Sequence, residues 1–204
     1  MKEKIDEMPQ RGVITHSNSP WSAPVVLAKK KTGDLRVCID FHRLNAITKP
    51  DRYPMPLIEE LIDDLRNRNV FSTLDLKDGY WQIPLRKIDR EKTAFTIHGL
   101  GHFEFNVMPC GLTNAPATFQ RIMSNLLAGS AGTLVYLEDI IVAGFSKEDH
   151  DRNLEEVLDR LKRAGLSLNE KKFRQTEVEY LGHSISATGV KPNGDKVRAI
   201  LTMK

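Results

Sequence analysis

At 204 residues the chain has room for one domain or two small subdomains with a real core. Its 40% hydrophobic and 28% charged content is ordinary for a soluble globular protein, and a net charge of +3 is too small to argue by itself for a nucleic-acid partner. No apolar run reaches membrane-spanning length and the N-terminus lacks a signal-peptide pattern, so a membrane partner is not expected. Cys38 and Cys110 have no metal-binding spacing, which favours a reducing, intracellular setting.

Residues 2–12, with Ile5 and Met8 at helical spacing, predict a short helix, and Ser17 to Pro20 a loop. Val25 to Lys29 and Leu35 to Ile39 read as strands joined by a Lys31-Thr32-Gly33-Asp34 turn. This hairpin opens the basic part of the chain. From Ala28 to Arg52 there are seven basic residues against three acids. Lysines on an edge hairpin also guard against aggregation, so the charge alone does not name a ligand. An extended Asp51–Pro56 segment precedes a helix expected to run through Arg66, with Ile58, Leu61, Ile62 and Leu65 on one apolar face.

Phe71 to Leu76 is an apolar strand whose end delivers Asp75. Strands are expected at Thr93–Ile97 and Phe103–Met108 around the Gly99 and Gly101 turn. Asn114 is placed as an N-cap with Pro116 just inside a helix that runs to about Ala128, and Gly129 closes it. Leu134 to Val142 then reads as two buried strands with Glu138 and Asp139 at their turn. Ser146 and Asp149 suggest a capping box, and Leu154, Val157, Leu158 and Leu161 a buried stripe ending at Gly165. Further strands are expected at Leu166 to Leu168 and Val178 to Ile185. Antiparallel strands with a few amphipathic helices predict an α+β fold.

An acidic hairpin turn alone is commonplace. Asp75, in a matching setting far upstream, changes the reading, because three acids from two strand ends can form an oxygen cage for hard divalent cations. Mg²⁺ takes oxygen ligands at about 2.0–2.1 Å, usually one or two carboxylates with phosphates and water. Two such ions about 3.5–4 Å apart stabilise the attacking and leaving oxygens of a phosphoryl displacement.

Motifs in fixed order along nearly the whole chain carry a resemblance. They are Ser19-Pro20-Trp21-Ser22-Ala23-Pro24-Val25-Val26 with Lys29-Lys30-Lys31, Asp40-Phe41-His42-Arg43-Leu44-Asn45, Asp51-Arg52-Tyr53-Pro54, Phe71 to Gln82, Phe105 to Gln120, and Val178-Glu179-Tyr180-Leu181-Gly182-His183. The sequence resembles the reverse transcriptase region of gypsy-like LTR retrotransposon Pol polyproteins, related to retroviral reverse transcriptases.

The resemblance implies a right-hand polymerase with an antiparallel palm sheet packed on helices. It implies fingers at about 1–50 and 83–114, a palm at about 51–82 and 115–190, and the start of a thumb or connection at 191–204. It implies RNA-directed DNA synthesis, with Asp75, Glu138 and Asp139 as catalytic metal ligands for two Mg²⁺ ions, or Mn²⁺ in their place. Lys30, Arg36, Asp78, Tyr80 and Cys110 would meet the deoxynucleoside triphosphate, with Tyr80 beneath the sugar. Lys offers phosphate a point charge and Arg a bidentate fork. Gln120, Tyr136, Leu181, Gly182 and His183 would meet an RNA or DNA template and its primer. The resemblance further implies an intracellular, cytoplasmic setting, with virus-like particles as one place within it. The protease, RNase H and integrase portions of a Pol polyprotein are absent, and the chain reads as a piece of something longer.

Glu138 departs from the family's Asp-Asp pair. It keeps the charge but moves the carboxylate by roughly 1 to 1.5 Å, one methylene. Misplacement of about 1 Å can cost about a hundredfold in rate. Reduced activity is therefore expected, and in the limit a silent copy that still binds nucleotide or nucleic acid. The alternative is a turn that relaxes so that Glu138 still reaches the metal. The segment from Phe119 to Tyr136 is also a residue or two shorter than usual in the family, and Cys110 replaces its commoner phenylalanine or glutamine.

Overall fold

The computed structural model describes residues 7–29, 35–169 and 172–192. Helices α1 to α6 span residues 7–10 and then His42–Ile47, Ile58–Asp63, Lys87–Arg90, Ala115–Leu126 and Lys147–Arg163. Strands β1 to β12 span Ile14–His16, Val25–Lys29, Leu35–Ile39, Val70–Asp75, Phe95–Ile97, Gly101–Phe105, Thr133–Tyr136, Asp139–Gly144, Lys172–Gln175, Glu177–Tyr180, His183–Ser186 and Gly189–Pro192. Every ladder between these strands is antiparallel, as the α+β expectation requires. The chain divides into two units, Met1–Arg52 with Asp78–Phe119 and Tyr53–Lys77 with Gln120–Lys204.

The first unit holds a β1-β6-β5 sheet and the β2-β3 hairpin. Period-two alternation buries Phe95 and Ile97 on β5 and Phe103 and Phe105 on β6. Their rings form the centre of a core that Val13, Ile14 and Phe41 complete. β2 and β3 pair from Val25↔Ile39 to Lys29↔Leu35, as their sequence predicts. β5 starts two residues later than expected, because a 3₁₀ turn takes Glu91–Thr93. β6 lies earlier than expected, since past Phe105 the Asn106 N–H turns to the Val13 carbonyl.

Two polar anchors shape this unit. No residue of α2 is buried, so no apolar stripe betrays it in the sequence. It starts where Asp40 accepts the His42 N–H at 2.9 Å, a bond that holds the Asp40 carboxyl below its usual range. The helix is also tied through Asn45, which donates to the Gly111 carbonyl and accepts from the Thr113 N–H. Asn114 stands at the head of α5, and its side chain also serves a distant backbone. Its amide accepts from the Asp51 N–H and donates to the Lys49 carbonyl, both at 2.9 Å, because the extended 49–51 backbone needs partners of its own.

The second unit is built on a β7-β8-β4-β9 sheet. Ile140 to Ala143 are all fully buried, since this sheet is covered on both faces. Phe71, Ile141 and Ala143 pack with Ile62 and Leu65 of the α3 region and with Val178 and Ile185. On the other face Ser72, opposite Val142, hydrogen-bonds His150 of α6 at 2.8 Å. Gly144 makes that approach feasible, because a Cβ there would sit 2.3 Å from the His150 backbone nitrogen. α6 follows its sequence signals. Ser146 caps it by accepting the Asp149 N–H, Val157 and Leu161 are fully buried, and Gly165 leaves it at φ +72°. The Asp149 carboxylate turns back to the Phe145 N–H rather than that of Ser146. α3 ends at Asp63, short of the expected Arg66, before Asn67 enters the left-handed region at φ +63°.

Candidate active site

β4 and β8 run side by side until their ends bring Asp75 directly opposite Asp139. Residues so paired project to the same face of an antiparallel sheet. Asp75 is half-buried and Asp139 lies at the exposed tip, yet the Asp139 carboxyl is pushed above its usual range, first by partial desolvation and then by the charge of Asp75. Two like charges held together in this way suit a bound cation.

A pocket of about 200 Å³ opens on this pair, lined by Thr73, Asp75, Asp139, Ile140, Glu179, Tyr180 and Leu181. It gathers two predicted acids and one predicted primer residue. A larger groove of about 460 Å³ runs along α6, but several of its charged side chains are tied in ion pairs, Asp151 with Arg174 and Asp159 with Arg163.

Glu138 is carried differently from the other two acids. It is the second residue of the Leu137-Glu138 turn, half-buried, with its carbonyl accepting from the Leu76 N–H at 3.4 Å. Among the described residues no three His, Cys, Asp or Glu side chains gather into a metal-holding cluster. The two acids that the register places face to face at the strand ends are Asp75 and Asp139. This pair fits Mg²⁺ or Mn²⁺, which take one or two carboxylates and fill the remaining positions with phosphate and water.

The turn itself is strained. Leu137 has φ +54° while Glu138 does not enter positive φ, the pattern of a type II′ hairpin, in which the first position is usually glycine. Gln120 holds it there. This fully buried side chain accepts the Leu137 N–H at 2.7 Å and donates to the Val135 carbonyl at 3.0 Å and to Ser124 Oγ at 3.1 Å. Its amide is thus committed to the backbone of the acid-bearing hairpin. Tyr136, half-buried just before the turn, packs against the core of this unit.

A second hairpin lies beside the pocket. Tyr180 pairs with His183 across Leu181 and Gly182, whose φ values of +49° and +80° give a type I′ turn. The buried Tyr180 hydroxyl donates to the Asp139 carbonyl at 3.4 Å. Burial, then the Asp139 charge, pushes its pKa well above the usual phenol range. His183 keeps a buried Nδ1 with no hydrogen-bond partner among the described residues. Sequence reasoning missed two neighbours, Glu179 in the pocket lining and Asn169, whose Nδ2 donates to Asp75 Oδ2 at 2.8 Å. Glu179 stands inside the Val178–His183 motif, which gave it no role of its own, and Asn169 belongs to none of the quoted motifs.

The residues assigned to nucleotide fall in the first unit. Lys30 lies outside the described residues, and Arg36 is described only as backbone on β3, opposite Ala28. Asp78 adopts φ +50° and pairs with Arg11 at 2.5 Å, and the Arg11 guanidinium also lies 5.3 Å from the centre of the Trp81 ring. Tyr80 sits half-buried on the 3₁₀ turn Gly79–Gln82, its ring 5.1 Å from that of Phe119. Cys110 is exposed.

Residues 28–185 match the family model described as reverse transcriptase (RNA-dependent DNA polymerase). The retrovirus-related Pol polyprotein from transposon opus of Drosophila melanogaster is 42% identical over 100% of the chain, which covers 21% of that protein. Two structures of the foamy viral protease-reverse transcriptase superpose on the whole chain at 26% identity. One, of a dRH form in complex with double-stranded DNA, has a TM-score of 0.93 with 36% of it covered. The other, in complex with an RNA/DNA hybrid, has a TM-score of 0.90 with 28% covered. The chain spans about a fifth of the length of the curated relatives it matches. Among the described residues no helix is long and apolar enough to cross a membrane.

Proposed function

Since the chain belongs to the reverse transcriptase family, we propose that it is the fingers and palm of an RNA-directed DNA polymerase within a Pol polyprotein. In this reading a primer 3′-hydroxyl attacks the α-phosphate of a deoxynucleoside triphosphate and pyrophosphate leaves. The observation that carries it is the facing of Asp75 and Asp139 at a pocket whose wall includes Leu181. Asp75 and Asp139, with Glu138 beside them on the turn, would hold Mg²⁺, with Mn²⁺ as a substitute. When bound, the metal supplies charge stabilisation at the attacking and leaving oxygens. The chain's own part is positioning and preorganised charge, since phosphoryl transfer asks little covalent chemistry of the protein.

Gln120 acts in this scheme by fixing the acid-bearing turn, in keeping with its complete burial. Leu181, Gly182 and His183 present the primer end, Tyr136 supports the hairpin, and Tyr80 lies under the sugar and disfavours a 2′-hydroxyl. Lys30, Arg36, Asp78 and Cys110 meet the triphosphate. The setting is intracellular, where the template and the rest of the polyprotein are to hand. Template grip through basic residues weakens steeply as salt rises.

A second reading rests on Glu138, whose place on the turn and extra methylene set it apart from the facing pair. Under it the copy is catalytically impaired and retains binding. Mg²⁺-dependent extension of a primer on an RNA template separates the two, comparing the chain with its Glu138→Asp version, each fused to a relative's thumb. Comparable extension by both supports the polymerase reading. Extension by the Asp version alone supports the impaired copy. Persistence of extension in Asp75→Ala and Asp139→Ala would sink the assignment of the acids.

A further inference from the structure

We infer that Asn169 is a positioning residue that sets the orientation of the Asp75 carboxylate, an inference that rests on reading Asp75 and Asp139 as the cation-binding pair. After α6 the chain returns along the end of β4. The Lys77 N–H donates to the Ser167 carbonyl at 3.0 Å, Leu76 bridges Leu168, and the Asn169 N–H donates to the Asp75 carbonyl at 2.8 Å. Successive residues of a strand direct their backbone groups to alternate sides. Leu76 gives its N–H to Glu138, so Asp75 directs its backbone to the opposite side, toward Asn169.

Asn169 thus holds one residue twice. Its backbone fixes the Asp75 main chain and its Nδ2 holds Asp75 Oδ2 at 2.8 Å. A single exposed hydrogen bond of this kind contributes little to stability. Its effect is geometric, because with the Asp75 backbone pinned by the same residue the side-chain bond selects one rotamer. Oδ2 is then engaged by the protein, which leaves Oδ1 of Asp75 as the oxygen that would meet a cation. An amide suits the position, since it donates to the carboxylate and adds no competing negative charge. Partners that orient a ligating group typically matter by about 10–100-fold in metal affinity or activity when removed.

The test is Mn²⁺ binding to the 204-residue chain, read by electron paramagnetic resonance without template or nucleotide. Parent, Asn169→Ala, Asn169→Ser, Asp75→Asn and the Asp75→Asn/Asn169→Ala double variant are compared. Asn169→Ala and Asn169→Ser are expected to weaken binding about tenfold. The double variant should bind no more weakly than Asp75→Asn alone, and the thermal midpoint of Asn169→Ala should stay within about 1 °C of the parent, as an exposed bond implies. In primer extension the half-saturating Mg²⁺ should rise by a similar factor, while the rate at saturating Mg²⁺ returns to within about twofold of the parent. Weakening by Asp75→Asn with parental binding in both Asn169 variants would overturn the positioning role and leave the cation site standing. Parental binding by Asp75→Asn would overturn the cation site and the inference with it.

Discussion

Two hairpins of the second unit meet at the same pocket, each with a leucine in the left-handed region, and differ in what supports the turn. The Leu181-Gly182 turn draws on its own sequence at one of its two left-handed positions, for Gly182 accepts φ +80° without steric penalty while Leu181 carries φ +49°. The Leu137-Glu138 turn puts a leucine at φ +54°, a conformation costing on the order of 1–3 kcal/mol, and draws its support from outside. Gln120 grips it from one side and the Leu76 N–H meets the Glu138 carbonyl from the other. This turn has leucine where glycine is usual, and the surrounding structure supplies its support.

The largest expected effect comes from removing that outside support. Gln120→Met keeps the volume but leaves Leu137 N–H and Val135 C=O without their side-chain partner, at a loss of about 3 kcal/mol. A thermal midpoint lowered on the order of 10 °C would show it, and an unchanged midpoint would mean that the turn holds itself. Gly182→Ala tests the other hairpin. Alanine at φ +80° should cost about 1 kcal/mol in denaturant unfolding. Leu137→Gly should act in the opposite direction, gaining up to about 1 kcal/mol as the strain is released; a loss would show that the leucine's packing outweighs its backbone cost.

Charge at the strand ends ranks below strain. Asp139→Asn relieves the repulsion from Asp75 and is expected to raise the thermal midpoint by about 1 °C in metal-free buffer, while primer extension is lost. The smallest effect lies away from both hairpins. Asp151 is held below its usual pKa, first by Arg174 and then by His150, so its contribution is present above the unfolded value of roughly 3.9 and is lost as pH falls through the lower folded value. Thermal midpoints of Asp151→Asn and parent should therefore differ at pH 6 and converge toward pH 2.

Much of this was legible where a local rule applies. β2 and β3 took their expected bounds, and α6 took its cap, stripe and terminating glycine from residues adjacent in sequence. The apolar run into Glu138 and Asp139 announced the hairpin. α2 stayed silent because none of its residues is buried, and the bonds of Asn114 to the 49–51 backbone stayed silent because they join residues far apart in sequence. The bonds of Gln120 to Leu137 and of Asn169 to Asp75 join side chains to places 17 and 94 residues away. Periodicity reports faces, and such pairings depend on how faces are brought together.

The four-stranded sheet ends in β7 on one side and β9 on the other. On the β7 side a Val135 carbonyl is already taken by the Gln120 amide. On the β9 side the pairing with β4 slips between Phe71 and Thr73, where Arg174 takes φ +51°, turns its N–H inward to Ser72 Oγ and clasps Asp151 with its guanidinium. Bulges and occupied edges are poor templates for a further strand. Both margins of the sheet that bears the acids are thereby interrupted, which makes them poorer templates for an extended segment from a neighbouring chain.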